Sequence, residues 1–542
     1  MLKRFLICII GVIAYSTETY ADRDDYSFIT SSADSVVDTT AIHVFPVQYD
    51  QPLSTSDTDS IYRTETMMPR RPWRAAWQNM GINAAVWSFD YFVLHRDFCG
   101  MSLKDIRQNF KTGFVWDFDD FPTNLKNHPY HGALYFSAAR NNGLNFWHSS
   151  LYSFGGSLVW EFFSEREPAA INDILSTGFG GMAIGETTVR MGRAVLDDSK
   201  RGMERFAREA LEMVFDPIGG FNRILHGDSW RVRHRNYLYR NDNETPLEIN
   251  LSAGCRFLSG KSGIFRGDCI SSIDLQCNYG DFFHSGNHPF DAFQSDIGFS
   301  FFSSQPIINR VNISGKIISS ENQGTKGNDF VYGMFQHFIY YDSKAISNEK
   351  DAPYHISEAA SFGPGLIYRW TPAEHTSKMC KRQSPLTDES RQFASEKRHS
   401  FVLTQNLFAN VVLLGGCKTD HFGSILRDYN LGSGFSVISK TDATVQRLGS
   451  LSLNLYSLNL FTWKGYTQRD LDATPDLLYL NTQGDKGSTW MLVVNPALHI
   501  NISRNISLQF EWTGYFRRTH YSYFDNHNSS YYETKIGLAY SL

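Results

Sequence analysis

Leu247-Glu248-Ile249-Asn250-Leu251-Ser252-Ala253-Gly254-Cys255-Arg256-Phe257 alternates apolar and polar residues without a break. A two-residue period places every apolar side chain on one face of a strand and every polar one on the other. The alternation returns in Ile273, Leu275, Cys277 and Tyr279, which are separated by Asp274, Gln276 and Asn278. It returns again in Leu451, Leu453 and Leu455, in Ile506, Leu508, Phe510 and Trp512, and in the closing Ile536, Leu538, Tyr540 and Leu542. Segments of this kind fill residues 246–542 and run long enough for tilted strands crossing a bilayer. The predicted fold class is α+β: an N-terminal helical domain over 71–220, then an antiparallel transmembrane β-barrel of about 12 strands over 246–542. Glu248, Arg256, Asp274, Gln276 and Glu511 are expected to line the interior, and the apolar faces to meet outer-membrane lipid. A soluble β-sandwich is the alternative, although its strands are usually shorter.

Composition agrees with a barrel. The 542 residues hold 41 Phe, 27 Tyr and 11 Trp, an aromatic excess that interfacial girdles would explain. Hydrophobic content of 42% excludes a polytopic helical membrane protein. With 51 basic and 56 acidic residues the net charge is −5, and no basic stripe suggests a nucleic-acid partner. Residues 1–21 read as a secretory signal: Lys3 and Arg4 precede the apolar Phe5–Ala14, and Thr19-Tyr20-Ala21 suits cleavage. Export to the cell outer membrane follows, with outer-membrane lipid and an envelope ligand as the expected partners. Residues 22–70 are rich in Ser, Thr and Asp and read as a disordered leader.

Beyond the signal stand Cys99, Cys255, Cys269, Cys277, Cys380 and Cys417, none in a close Cys-x-x-Cys pair. Cys255 could bridge Cys269 or Cys277 within one hairpin, or act as a small hydrophobe on an apolar face. The barrel's two kinds of connection are also visible. Ser503-Arg504-Asn505 is a tight turn, and Thr371–His399 is long and charged, as an external loop would be.

Helices are predicted over Trp73–Leu94, about 129–141, 145–164, 168–191 with Pro168 in its first turn, and Asp198–Phe215. The densest chemistry lies from His128 to Arg190. His131, Glu161 and Asp173 are the candidate catalytic residues, because a histidine held by a carboxylate is the minimum for acid–base work. His128, Tyr135, Arg140, Glu165, Asn172, Glu186 and Arg190 form the surrounding ligand-binding or structural polar cluster. Glu161 and Glu165, four residues apart, repel unless a cation or proton intervenes. Two histidines at i and i+3 without a third ligand give no metal site, and no cofactor motif occurs. Asp117, Asp119 and Asp120 form an acidic turn that could hold a cation. Gly178, Gly181 and Gly185 share one helical stripe, which lets another helix approach closely.

These residues carry a resemblance. His128-Pro129-Tyr130-His131-Gly132, Ala138-Ala139-Arg140, Trp160-Glu161, Glu167-Pro168 and Asn172-Asp173 resemble a bacterial envelope family catalogued only as domain of unknown function three-nine-four-three. The resemblance covers about residues 73–215. It implies an exported protein with a strand-rich C-terminal part, and no reaction. A weaker similarity to VanZ-like helical membrane proteins would match His131, Glu161, Asp173 and Gly181.

Two functions follow from these readings. The first is an outer-membrane barrel with a helical plug or periplasmic-side domain, in an envelope structural, transport or ligand-binding role. The second is an envelope lipid- or glycan-modifying enzyme working through the His/Glu/Asp cluster, although no Gly-x-Ser-x-Gly elbow supplies a nucleophile.

Overall fold

The computed structural model describes residues 69–233, 242, 245–325, 327–347, 349–372, 401–421, 427–466 and 481–541. The signal segment, nearly all of the leader, Cys380 and most of the Thr371–His399 connection lie outside them.

Twelve long strands close into one antiparallel barrel. They are β1 (Leu247–Ser259), β2 (Asp268–Tyr279), β3 (Phe293–Phe301), β4 (Ile308–Ser319), β5 (Asn328–Asp342), β6 (His355–Trp370), β7 (Phe401–Lys418), β8 (Tyr429–Val445), β9 (Gly449–Thr462), β12 (Gly487–Asn501), β13 (Ile506–Tyr521) and β14 (His527–Ser541). Each strand pairs with its neighbour along the closed wall, and β1 closes on β14 through Ala253↔Leu538 and Arg256↔Lys535. A two-residue parallel pair, β10 (Gly465–Tyr466) with β11 (Gly484–Asp485), sits in the β9–β12 connection.

Alternation sorts the side chains as the sequence predicts. Inward, Arg256 meets Glu533 at 3.4 Å, Arg310 meets Asp274 at 2.8 Å and Asp296 at 2.9 Å, and Lys535 pairs with Asp274. Outward, Val411, Phe435, Leu451 and Leu538 are exposed. These buried lumen charges are paired, which offsets their desolvation. The five described cysteines are free thiols.

The two predicted connections emerge at one end. β6 ends at Trp370 and β12 at Asn501, and Trp370↔Leu403 and Asn501↔Ser507 both lie at the end that holds the β14 terminus. The long loop and the tight turn therefore do not distinguish the two sides of the barrel.

Before the barrel come α1 (Pro72–Phe92), α2 (Leu103–Thr112), α3 (His128–Arg140), α4 (Phe146–Phe163), α5 (Ile171–Leu175), α6 (Gly181–Val195), α7 (Gly202–Phe215) and α8 (Pro217–His226). Local chemistry sets their starts. Pro72 opens α1, a Ser102/Asp105 capping box opens α2, Asn145 accepts the His148 N–H at 2.9 Å, and Asp216 caps α8. The segment expected as one helix over 168–191 is α5 and α6 joined by a π-helical turn, Ser176–Gly180.

Among the described residues no helical side chain lines the lumen cavity, and the helices that touch the barrel do so from outside. They pack on the outer face of the wall. Cys277, Ser295, Ile313 and Phe338 are successive register partners across β2 to β5, and Ala360 pairs with Leu414 across β6 and β7. All six are buried and five belong to the core shared with the helices, whereas Phe330, Tyr332 and Met334, also facing outward on β5, are exposed. The covered band thus follows a hydrogen-bonded row across the strands. Lumen residues such as His337 and Tyr341 alternate with the covered ones, which fixes the side.

Candidate functional site

The polar cluster is assembled where the helical unit meets the wall. Val115 N donates to the Ala169 carbonyl and Ile171 N to the Val115 carbonyl, each at 2.9 Å. This short parallel bridge brings Asp117 beside α5. Asn172 Nδ2 then donates to Asp117 Oδ1 at 2.7 Å and to Asp173 Oδ1 at 2.9 Å. Asn124, in the π-helical turn Thr123–Asn127, donates to Asp117 Oδ1 at 2.8 Å and to the Tyr429 hydroxyl at 2.6 Å.

His128 is the histidine of this site. Its Nε2 lies 3.5 Å from Asp173 and 3.9 Å from Asp119, whose carboxylate is half exposed and forms the solvent margin. Burial works against the His128 imidazolium, but the Asp119 carboxylate facing its N–H and the charges of Glu161, Asp119 and Asp117 outweigh it and raise the pKa. Burial, and then the charge of Asp119, raises Asp117. Burial, and then Asp117, Glu161 and Asp119, holds Asp173 well above the usual carboxylate range. Asn172 thus bridges the two carboxylates, and His128 lies beside them.

The other predicted residues divide between three places. His131 lies over Tyr135, with ring centroids 4.6 Å apart, and edge-on to Trp160 at 5.2 Å; its Nε2 has no hydrogen-bond partner. Glu161 accepts the Ala170 N–H at 2.8 Å through Oε2, while buried Oε1 has no hydrogen-bond partner. Glu165 accepts from the Trp160 indole, and Tyr135 donates to Asn83. Glu186 belongs to a separate network. Arg140 grips it at 2.7 and 3.0 Å, and Arg190 reaches it at 2.8 Å and also meets Asp291 at 3.1 Å. This network joins the helices to the β2–β3 connection, and it does not touch His128.

Arg427 and Tyr429 escaped sequence reasoning. Arg427 Nη1 donates to the Asp117 carbonyl at 2.6 Å, and the Tyr429 hydroxyl to the Asp119 carbonyl at 2.8 Å. They clamp the acidic segment from the start of β8, about three hundred residues away in sequence, where no local motif points back. Among the described residues, no group of three or more His, Cys, Asp or Glu is arranged to hold a metal ion.

The stretch that supplies both the acidic segment and α3 to α7 decides the relationship. Residues 113–218 match the family described as Domain of unknown function (DUF3943). The matched stretch contains His128, Asp173, Asn172 and the Arg140–Glu186–Arg190 network, and stops before the barrel. No curated protein matches the chain. Among solved structures, the NanC porin is similar at 11% identity and TM-score 0.26 over 55% of this chain and all of that one. The anion-selective porin from Comamonas acidovorans is similar at 8% identity and TM-score 0.16, covering 55% and 99% of the two chains. The outer membrane channel DcaP of Acinetobacter baumannii is similar at 11% identity and TM-score 0.19, covering 55% and 97%.

Proposed function

We propose that the chain is an outer-membrane β-barrel protein whose lumen is a one-ended vestibule for a small polar envelope ligand. The supporting observation is a lumen cavity of about 470 Å³ lined by Asn312, Asn406, Asn454, Lys440, Asp442 and His499. Toward the other end the space is filled by Tyr354 stacked on Tyr515 at 4.2 Å and by the Arg256–Glu533 pair. Carboxamides both donate and accept, so this lining suits a ligand rich in hydroxyl groups. The exposed apolar belt around a polar, ion-paired interior is the membrane-barrel distribution.

Proteoliposome swelling with small neutral sugars tests the vestibule. The wild-type barrel should pass no sugar, and Tyr354→Ala with Tyr515→Ala should open a flux. Sugar flux through the wild type at the rate of an open porin would end this reading. Native mass spectrometry of protein extracted from envelopes should show a retained small molecule that Asn454→Leu with His499→Leu releases.

A second reading rests on the His128–Asp173 contact. Here the helical unit is an envelope lipid- or glycan-modifying enzyme, with His128 as acid or base and Asp173 as the carboxyl that orients it. His131 and Glu161 then support the pocket from behind. His128→Gln and Asp173→Asn should each alter the envelope lipid or glycan profile without loss of the folded barrel. An unchanged profile in both would leave the cluster structural.

A further inference from the structure

α1 and α4 are amphipathic the wrong way round for water. On α4 the buried residues are Phe146, Trp160 and six small or polar ones, Ser149, Ser150, Ser153, Gly156, Ser157 and Glu161. Its exposed residues are His148 and the apolar Trp147, Leu151, Leu158 and Phe163, of which Leu151 is 67% exposed. On α1 the buried residues include Asn79 and Asn83, and the exposed ones are Trp73, Trp77, Met80 and Phe89. No charged residue lies between Arg74 and Asp90 of α1, and the only carboxylate of α4, Glu161, points inward. A helix in water buries its apolar stripe and exposes its polar one. These two bury many of their polar residues and expose large apolar ones.

We infer that the helical unit is embedded in the bilayer, with the exposed faces of α1 and α4 covered by lipid acyl chains. This inference rests on the reading of the barrel as membrane-spanning. Three observations carry it. The unit is docked on the outward row of the wall, the same surface on which Val411, Phe435 and Leu451 are exposed, so its outer helices continue the barrel's apolar belt. The 18 residues of α4 extend roughly 27 Å, close to the height of a barrel's apolar band. Finally, contacts within the unit use small residues and internal hydrogen bonds, as expected where lipid removes the hydrophobic drive for helix association. A Cβ on Gly132 would strike the Thr177 carbonyl, and one on Gly181 would strike Gly132 and Ser153. Ser153 Oγ itself donates toward the Gly132 and Thr177 carbonyls at 3.0 and 2.9 Å.

Among the described residues no helix is long and apolar enough to cross a membrane by itself. The inward serines and asparagines lower the mean hydropathy, and the bundle satisfies them. α3 and the turn Ser176–Gly180 cover the polar side of α4, and α3 and α4 cover that of α1, so the apolar side is left to meet lipid.

The test uses the full chain in phosphatidylcholine vesicles. Single cysteines at Leu151, Leu158 or Met80 are introduced in a cysteine-free background and carry an environment-sensitive fluorophore. Leu453 on β9 serves as the lipid reference and Glu204 on α7 as the water reference. Lipids brominated on their acyl chains should quench positions 151, 158 and 80 as strongly as 453, and should leave 204 unquenched. Quenching at 453 alone would overturn the inference and leave the barrel reading standing. Failure to quench at 453 would remove the membrane reading and this inference with it. Independently, Leu151→Arg should abolish assembly of the helical unit in membranes. Wild-type assembly of that variant would overturn the inference, because an exposed leucine in water tolerates arginine.

Discussion

Gln336 Nε2 donates to the Phe179 carbonyl at 2.8 Å, tying the outward face of β5 to the π-helical turn before α6. A π turn leaves carbonyls outside the regular i→i−4 ladder, and a side chain from the wall takes one of them. The contact lies beside Phe338, which packs near Gly180, so the turn is shaped by the surface it rests on.

Replacing Gln336 by Ala should therefore weaken docking of the helical unit without opening the barrel. The buried Phe179 carbonyl would lose its donor, a cost of about 1–3 kcal/mol. Urea unfolding followed by tryptophan emission should move to lower denaturant, while heat-modifiable migration of the barrel on gels stays as in the wild type.

Glu186→Gln should be the most damaging conservative change in the helices. It leaves the buried guanidinium groups of Arg140 and Arg190 without the carboxylate they share. Breaking a buried pair from one side costs about 3–5 kcal/mol. Limited proteolysis should cut α3 to α6 in the variant and spare them in the wild type. Equal resistance would show that other partners hold both arginines.

The cluster around Asp117 should make the helical unit less stable as pH rises. Asp173 and Asp117 bind protons more tightly folded than unfolded, so stability falls as pH climbs above the unfolded carboxyl value of about 4. The raised His128 acts in the same direction. Its contribution is complete below its unfolded value of about 6.5 and is lost as pH passes through the higher folded value. Thermal melts should show a falling midpoint from about pH 5 to about pH 8, and Asp173→Asn should flatten the acidic part of that slope. A midpoint that rises over this range would contradict the raised proton affinity of the two carboxyls.

Gly181→Ala should separate α3 from α6. The added methyl would meet the Gly132 backbone, which cannot rotate away, and overpacking of this kind costs about 1–3 kcal/mol. Gly155→Ala is the control, because a Cβ there meets nothing within 4 Å. The first should lower the melting midpoint of the unit and the second should leave it unchanged or slightly raised.

Much of the barrel was legible because alternation is a local signal. Leu247 to Phe257 needs no partner to declare which side chains share a face, and Arg256 and Asp274 turned inward as that pattern requires. Four of the five predicted helices also stand near their expected positions, with Pro72 and Asn145 marking starts. Two elements, α2 and α8, were missed. The first is short and charged, and the second opens on a Pro-Ile-Gly-Gly run that reads as a stop.

The candidate site was legible in its residue types and not in its pairings. His131 and His128 are one turn apart, and only the crossing of α3 with α5 turns His128 toward Asp173 and leaves His131 between Tyr135 and Trp160.

By itself the sequence determined the number and kind of strands, which of their faces is polar, and where the ionisable residues of the helices cluster. These are consequences of period and spacing within single segments. Only the tertiary structure decided that the helices stand outside the wall, that β8 clamps the acidic segment through Arg427 and Tyr429, and that Glu186 holds two arginines apart from His128. The reason is that periodicity identifies a face without naming what covers it. An apolar stripe reads the same whether lipid, a helix or a strand lies against it, and that choice is made by contacts between segments hundreds of residues apart.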